Sequence, residues 1–446
     1  MSYYNKLLEN IILPFGDLLT SSSVMKHLNT IRRYDLLGAE ELRSLQEKKL
    51  NEILTFATEH SQYFKDLGIR PNKDPIAWLK KFPVLEKSTL SLNRGKMVVL
   101  SGIKLHAIST SGSTGERSTL LFTSDELSYI RANQIHWWEL AGYKIGDKIL
   151  QTGISNHRFT IKQLKNIIFR TKYVKAFSHT QQQLKEILHY LVRNKNVFIV
   201  GFASSLYLLA EKAKELGITS IKAKSVLSLG GKLFDFYRES VESVFNCKVF
   251  DTYGCGEGMG IACQKDLNFM YLITPNVYIE IVDNNGDEVN DGEMGHVLLT
   301  NLNARAMPII RYRIGDLATK LPVDDYPKVR ELNYPLLKNI IGRDTDIVKT
   351  KTGKYLVVHS FTAVFKYYSS IRQFCVIQRD LDGIEIQYIK GDNFSRSNLA
   401  SIQEKVDLTL GEHLPITFNE VEYISPTPSG KPQIIQSFLP KTSLGV

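Results

Sequence analysis

Residues 107–123 read AISTSGSTGERSTLLFT: hydroxyl side chains and two glycines crowd into one short run, and apolar residues then resume. A phosphate loop of the Walker type needs GxxxxGK[ST], because its lysine reaches the outer phosphates. Here Gly112 and Gly115 stand three apart and Glu116 follows the second. That spacing excludes the Walker loop but leaves phosphate binding open. Thr110, Ser111, Ser113 and Thr114 supply hydroxyl donors, and the two glycines expose backbone N–H groups. Taken alone, the run reads equally well as a Ser/Gly-rich surface turn.

The texture of the chain changes on either side of this loop. Before it, AEELRSLQEKKLNEILTFATEH (39–60) repeats apolar residues every three or four positions, so the first hundred residues read as largely helical. After it, DKILQTG, NVFIVGF, AKSVLSLGG and CKVFDTYG alternate with SSLYLLAEKAKELG and YRESVESVF. Strands alternating with helices predict βα units, in which ligands gather at the carboxyl ends of the strands. Between Tyr271 and Ala318 the turn signals Asn285-Gly286 and Asp291-Gly292 break alternating strands, which predicts antiparallel hairpins. Beyond Gly342, FCVIQRDLDGIEIQYIKG reads as two strands, SNLASIQEKVDLTLGEH as a helix and ITFNEVEYIS as a further strand. The expected class is α/β, with a small α+β unit that begins near IGRDTD (341–346).

A chain of 446 residues exceeds the size at which one core stops growing, so more than one domain is expected. An apolar share of 43% beside 23% charged residues describes a folded globular chain. The 56 basic and 46 acidic side chains leave a formal charge of +10, but the basic residues are spread along the chain and mix with acids at helical spacing. That pattern argues against a nucleic-acid surface. Cys247, Cys255, Cys263 and Cys375 form no zinc-finger pattern, and His106, His136, His157 and His179 form no HxH or HxxxH pair. The cysteines read as free thiols in a reducing compartment. The pair in HWWEL (136–140) reads as helix packing. No apolar run approaches the ~20 residues of a membrane helix. The expectation is a cytoplasmic protein, with contact of its apolar, basic N-terminal segment with a membrane surface left open.

Four later segments add chemistry. FDTYGCGEG (250–258) sets an aromatic ring, glycines and Glu257 directly after the strand-like CKVF. An aromatic stacks on a purine, and a carboxylate holds a divalent cation against phosphates. IIRYRIGDLA (309–318) places Asp316 after a glycine turn, where one carboxylate can accept both hydroxyls of a ribose. IIGRDTDIVKTKTGKYL (340–356) adds Arg343, and SPTPSGKPQII (425–435) adds Lys431 in a Pro/Gly turn.

The order of these pieces resembles the adenylate-forming superfamily of acyl- and aryl-CoA synthetases, luciferases and nonribosomal peptide adenylation domains. TSGSTGER is similar to its phosphate loop [ST]SG[ST]TGxP, with Arg117 where proline is usual. YGCGE is similar to YGxTE with Gly256 in place of threonine, YRIGD to YRTGD, GRDTDIVKTKTG to the hinge motif GRxDDxIKxxG, and PSGK to the terminal lysine motif. Within the superfamily LRSLQEKKLNEILTFATEHSQYF (42–64), KFPVLEK (81–87) and ARAMPIIRYRIGDLA (304–318) resemble the phenylacetate-CoA ligase family, and in it the branch associated with capsular and surface polysaccharide biosynthesis. RELNYPLLKNIIGR (330–343), directly before the hinge, has no cysteine, so the structural zinc of some members is not expected.

The resemblance implies a large adenylation domain, comprising a helical part (1–100) and an ATP- and acyl-binding core (101–341), with a mobile C-terminal lid (342–446). It implies that Thr110, Ser111, Gly112, Ser113, Thr114 and Gly115 cradle the β- and γ-phosphates of ATP. Tyr253, followed by Gly254, would stack on adenine, with Gly230 and Gly231 on its other face and Asp251 near its amino group. Glu257 would hold Mg²⁺, Asp316 the ribose hydroxyls and Arg343 the ribose or phosphate. Lys431 would bridge the α-phosphate and the attacking carboxylate. The hinge aspartate position falls on Thr345, between Asp344 and Asp346. Phe202, Ala203 and Gly230 would line an acyl pocket. The expected partners are a small carboxylic acid, ATP and coenzyme A, or a carrier protein or sugar-linked amine in its place; a homodimer is left open. Arg117, Gly256 and Thr345 support the competing reading, a nucleotide-binding scaffold that no longer catalyses. No kinase or Walker motif supports an ADP-forming enzyme.

Overall fold

The computed structural model describes residues 2–99, 102–110, 118–153, 166–175, 181–255, 260–343, 347–352, 354–365, 367–368, 370–425 and 433–439. Within the first hundred positions the predicted helices form. The helix Ala39–His60 carries Glu40 and Glu41 in its first turn, and the Glu41 carboxylate accepts the Gly38 N–H at 2.8 Å. Acids at this end favour the helix by meeting its unpaired N–H groups. Its buried face, Leu50, Ile53, Leu54 and Ala57, closes a core with Trp78, Phe82 and Ile310.

Two short strands, β1 (His106–Thr110) and β2 (Ser118–Phe122), pair antiparallel with Thr110 opposite Ser118. Leu120 and Phe122 enter the same core as Tyr253, Met307 and Tyr312. The helix Ser124–Leu140 follows on a capping box. Thr123 Oγ1 accepts the Glu126 N–H at 3.1 Å, and Glu126 Oε2 accepts the Thr123 N–H at 2.6 Å. The other Glu126 oxygen accepts the Ala306 N–H at 2.9 Å, so a single carboxylate starts a helix and tethers a loop 180 residues away. Trp138 packs edge-on to Tyr143 at 5.5 Å between ring centres and leans on Phe198, as the packing reading of HWWEL predicts.

Among the described residues the main sheet has eleven strands of two kinds. β3 (Ile149–Gly153), β4 (Thr171–Lys175), β5 (Phe198–Phe202), β6 (Ser225–Leu229) and β7 (Val249–Tyr253) run parallel in the order β4-β3-β5-β6-β7. The helices Gln181–Arg193, Ala203–Glu215 and Asp235–Phe245 lie between successive strands and bury Leu188, Leu206, Leu209, Val241 and Phe245 against them. The central strands β5 and β6 are buried along nearly their whole length, which suits their Val, Ile and Leu content, whereas the edge strand β4 is half-buried.

Beyond β7 the pairing turns antiparallel through β8 (Ala262–Cys263), β9 (Met270–Leu272), β10 (Val277–Val282), β11 (Met294–Asn301), β12 (Tyr312–Lys320) and β13 (Leu336–Arg343), in the order β7-β8-β9-β13-β12-β11-β10. Asn285-Gly286 and Asp291-Gly292 both fall inside the single connection from β10 to β11, so the two turn signals build one hairpin.

The chain leaves this sheet at Arg343 and resumes at Ile347 in separate sheets. β14 (Ile347–Lys349) and β15 (Tyr355–Val357) form a two-stranded ribbon. β16 (Ile371–Gln378), β17 (Ile384–Lys390), β18 (Ile416–Glu420) and β19 (Ile435–Ser437) form a sheet in the order β18-β17-β16-β19. The helices Val358–Phe365 and Ser397–Leu410 cover it, and Phe361, Val376, Ile386, Ile402, Val406 and Ile435 make a core of their own.

Candidate active site

The carboxyl ends of β3, β5, β6 and β7 share one edge of the sheet, because parallel strands end together. Gly230 follows β6 with φ +63°, and a Cβ built there would stand 2.5 Å from a ring carbon of Phe202 at the end of β5. Both the left-handed backbone and the approach of the Phe202 ring therefore call for glycine. Gly231 is open, with nothing within 4 Å of a Cβ built there. Gly254 is exposed just past β7.

β7 contributes Asp251 and Tyr253, which alternation places on one face of the strand. The Tyr253 side chain is 8% exposed, and its hydroxyl donates to Asp316 Oδ2 at 2.9 Å. The two belong to motifs 63 residues apart, and the fold brings them into contact. Asp316 in turn lies opposite Arg343 in the β12–β13 register. Tyr253, Asp316 and the backbone of Arg343 thus converge. The Asp251 Oδ1 atom accepts the Thr252 N–H at 3.0 Å, and burial pushes its carboxyl up to about 7 against the pull of Arg238. Arg238 is itself held, its Nη2 donating to Gln264 Oε1 at 2.7 Å.

Several residues singled out in the sequence lie outside the described residues: Ser111, Gly112, Ser113, Thr114, Gly115, Glu257 and Lys431, with Thr345 of the hinge. Thr110 and Arg343 are placed by their backbones alone. Among the described residues no group of three or more His, Cys, Asp or Glu side chains is arranged to hold a metal ion.

Lys232 escaped the sequence reading. Its Nζ donates to the Ile341 carbonyl at 3.0 Å, joining the glycine turn after β6 to the last residues of β13. Burial lowers its pKa, and Asp235 and Asp251 oppose that shift. The signal was a lysine directly after Gly230-Gly231, but nothing local to it names a partner 109 residues on.

A different proximity relates the main sheet to the C-terminal part of the chain. His296 on β11 is held down to about 4 by burial and by the charges of Arg313 and Lys349, the latter on β14.

Comparison with proteins of known structure gives a TM-score of 0.70 to 2-hydroxyisobutyryl-CoA ligase in its postadenylation state, bound to an acyl-AMP; the match is 17% identical and covers 93% of this chain and 92% of that one. This chain has the adenylate-forming ligase fold. The same ligase in its thioesterification state scores 0.55, so the present arrangement of this adenylate-forming fold overlays better on the postadenylation form. Residues 348–437 match the family model of the CapK C-terminal domain. Protein CapK of Staphylococcus aureus is 22% identical over 415 residues, 89% of each chain. Phenylacetate-coenzyme A ligase of Pseudomonas putida is 26% identical over 335 residues, 70% of this chain and 72% of its own. The homologues of this chain thus include CapK and phenylacetate-CoA ligases, in line with the resemblance drawn from its motifs.

Proposed function

We propose that this chain is an AMP-forming ligase that activates a small carboxylic acid with Mg·ATP and passes the acyl group to coenzyme A. The observation that carries the reading is the contact of Tyr253 with Asp316, beside the Gly230 turn and opposite Arg343. An aromatic ring next to a ribose-accepting carboxylate is what a nucleoside requires. The CoA ligases among its relatives and structural neighbours support the same reaction class.

The chemistry assigns each residue a task. Asp316 accepts the ribose hydroxyls, and Tyr253 fixes its orientation through the hydrogen bond while offering its ring to adenine. Gly230 keeps the opposite wall clear. Thr110 to Gly115 meet the outer phosphates. A carboxylate is a poor electrophile, so its attack on the α-phosphate first makes a mixed anhydride, and pyrophosphate leaves. Lys431 is assigned to the charge that builds on the α-phosphate, and removing such a stabiliser costs roughly 10²-fold in rate or more. Mg²⁺ would supply further charge neutralisation, with Glu257 as its proposed ligand. The C-terminal part from residue 342 acts as a lid that carries Lys431 away before the acyl group is transferred. A place in surface or capsular polysaccharide biosynthesis, in the cytoplasm, belongs to the same proposal.

The test is pyrophosphate release from Mg·ATP across aryl, fatty, hydroxy and amino acids, with and without coenzyme A. AMP and pyrophosphate with one acid class are expected, with Lys431→Ala reducing release about 10²-fold. Asp316→Ala should weaken ATP binding by roughly 10- to 100-fold, the worth of one charge-assisted hydrogen bond. ATP binding without turnover on any acid would instead favour the scaffold reading.

A further inference from the structure

The N-terminal helices present an unusual face to solvent. Between Asn10 and Met25 the one ionisable side chain is Asp17. It is engaged within the fold, accepting the Ser22 hydroxyl at 2.6 Å and the Met25 N–H at 2.7 Å. Ile12 and Leu13 pack inward with Tyr4, Tyr34, Ile168 and Phe169, so the helix Leu13–Thr20 is anchored on the core. Its other side is apolar and open: Ile11 is 60% exposed, Phe15 59%, Leu18 77% and Leu19 69%. A surface helix ordinarily carries charge on that side, and a contiguous apolar patch marks an interaction surface.

A basic cleft adjoins the same segment. The Tyr4 hydroxyl donates to the Ile168 carbonyl at 2.5 Å, and the Arg170 guanidinium stacks on the Tyr4 ring at 4.2 Å. Arg170 and Lys148 together line two neighbouring hollows, one with Lys172 and the exposed Ile167, the other with Lys144 and Lys195 beside Ser2 and Asn5. The carboxylate among these lining residues is Asp147, and it pairs with Lys224 at 2.6 Å. Lys148, Arg170 and Lys195 stand just ahead of β3, β4 and β5, at the edge of the sheet opposite the candidate active site.

Five cations clustered beside an uncharged apolar helix face match one environment, the interface of a membrane rich in anionic lipid. Hydrocarbon takes the Phe15 and Leu18 side, and lipid phosphates take the lysines and Arg170. We propose that this face docks on an anionic membrane surface, leaving the opposite strand edge directed away from the bilayer. No described helix is long and apolar enough to cross a membrane, which suits peripheral contact.

The test is co-sedimentation of the full chain with phosphatidylcholine vesicles, with and without phosphatidylglycerol. Two variants accompany it, Phe15→Ser with Leu18→Ser and Leu19→Ser, and Lys148→Glu with Lys172→Glu. All of these side chains but the half-buried Lys172 are exposed, and none belongs to the candidate active site, so melting temperature and pyrophosphate release should stay near the parent level. The parent should pellet with the anionic vesicles alone, and each variant should bind them at least about tenfold more weakly. Equal sedimentation with both vesicle types, or with neither, overturns the proposal. So does a parent dimer that the Phe15 variant converts to monomer, which would assign the face to a second copy.

Discussion

Asp251 sits two residues before Tyr253, close to Lys232 and Arg238, and burial lifts its carboxyl from 3.8 to about 7. Between those values the native protein holds a proton that the unfolded chain has released, so stability falls as pH rises through that window and levels off above it. Asp251→Asn removes the effect. In urea unfolding the variant should match the parent near about pH 4 and exceed it by on the order of 1–3 kcal/mol near about pH 8. The same gap at both pH values would mean that the carboxyl titrates in its ordinary range. At this scale the sequence discloses which residues carry chemistry and not which of them meet. Tyr253 and Asp316 were legible as members of two motifs because each lies in a short glycine-marked pattern. Their hydrogen bond, like that of Lys232 to Ile341, spans tens of residues of intervening chain and leaves no local trace.

Arg311 holds three elements together. It stands just ahead of β12 with φ +48°, and its guanidinium reaches Glu280 on β10 at 3.1 Å, the Phe82 carbonyl at 2.8 Å and the Gly286 carbonyl at 2.7 Å. The side chains are 7% and 2% exposed, and burial drives the Glu280 carboxyl up against the pull of the arginine. Removing one partner of such a pair strands the other charge, which costs about 3–5 kcal/mol. Arg311→Met should lose that much in chemical denaturation, and Glu280→Met added to it should recover most of the loss. Additive losses would show that the two act independently. Element by element, the βα alternation and the turn signals foretold a parallel half and an antiparallel half, and both exist. The helix Val358–Phe365 did not announce itself, because VHSFTAVF is rich in Val, Thr and Phe, which favour strands in the absence of packing. β8 and β9, two and three residues long, are too short for any periodicity to register.

Across the whole molecule the crossing from β13 to β14 separates two sheets and two cores. Limited proteolysis should cut between about Ile340 and Tyr355, and ATP with an acid substrate should change the rate of that cut several-fold by shifting the lid. Resistance with and without ligand would argue for one rigid body. The change of texture near residue 342 was legible because the small unit repeats its own strand and helix pattern. How the two units face each other was not, since it rests on long-range proximities such as the charge of Lys349 near His296. The sheet order also governs how the protein comes into being. β13, the last of the eleven strands to be synthesised, inserts between β9 and β12, while β10 and β11 lie outside β12. A ribosome that has not yet reached Leu336 therefore displays two ready edges facing an empty slot, and such edges recruit foreign strands. Assembly of the large sheet is thus closed from its middle, late in translation, by the same strand whose final residue leads towards the C-terminal sheets.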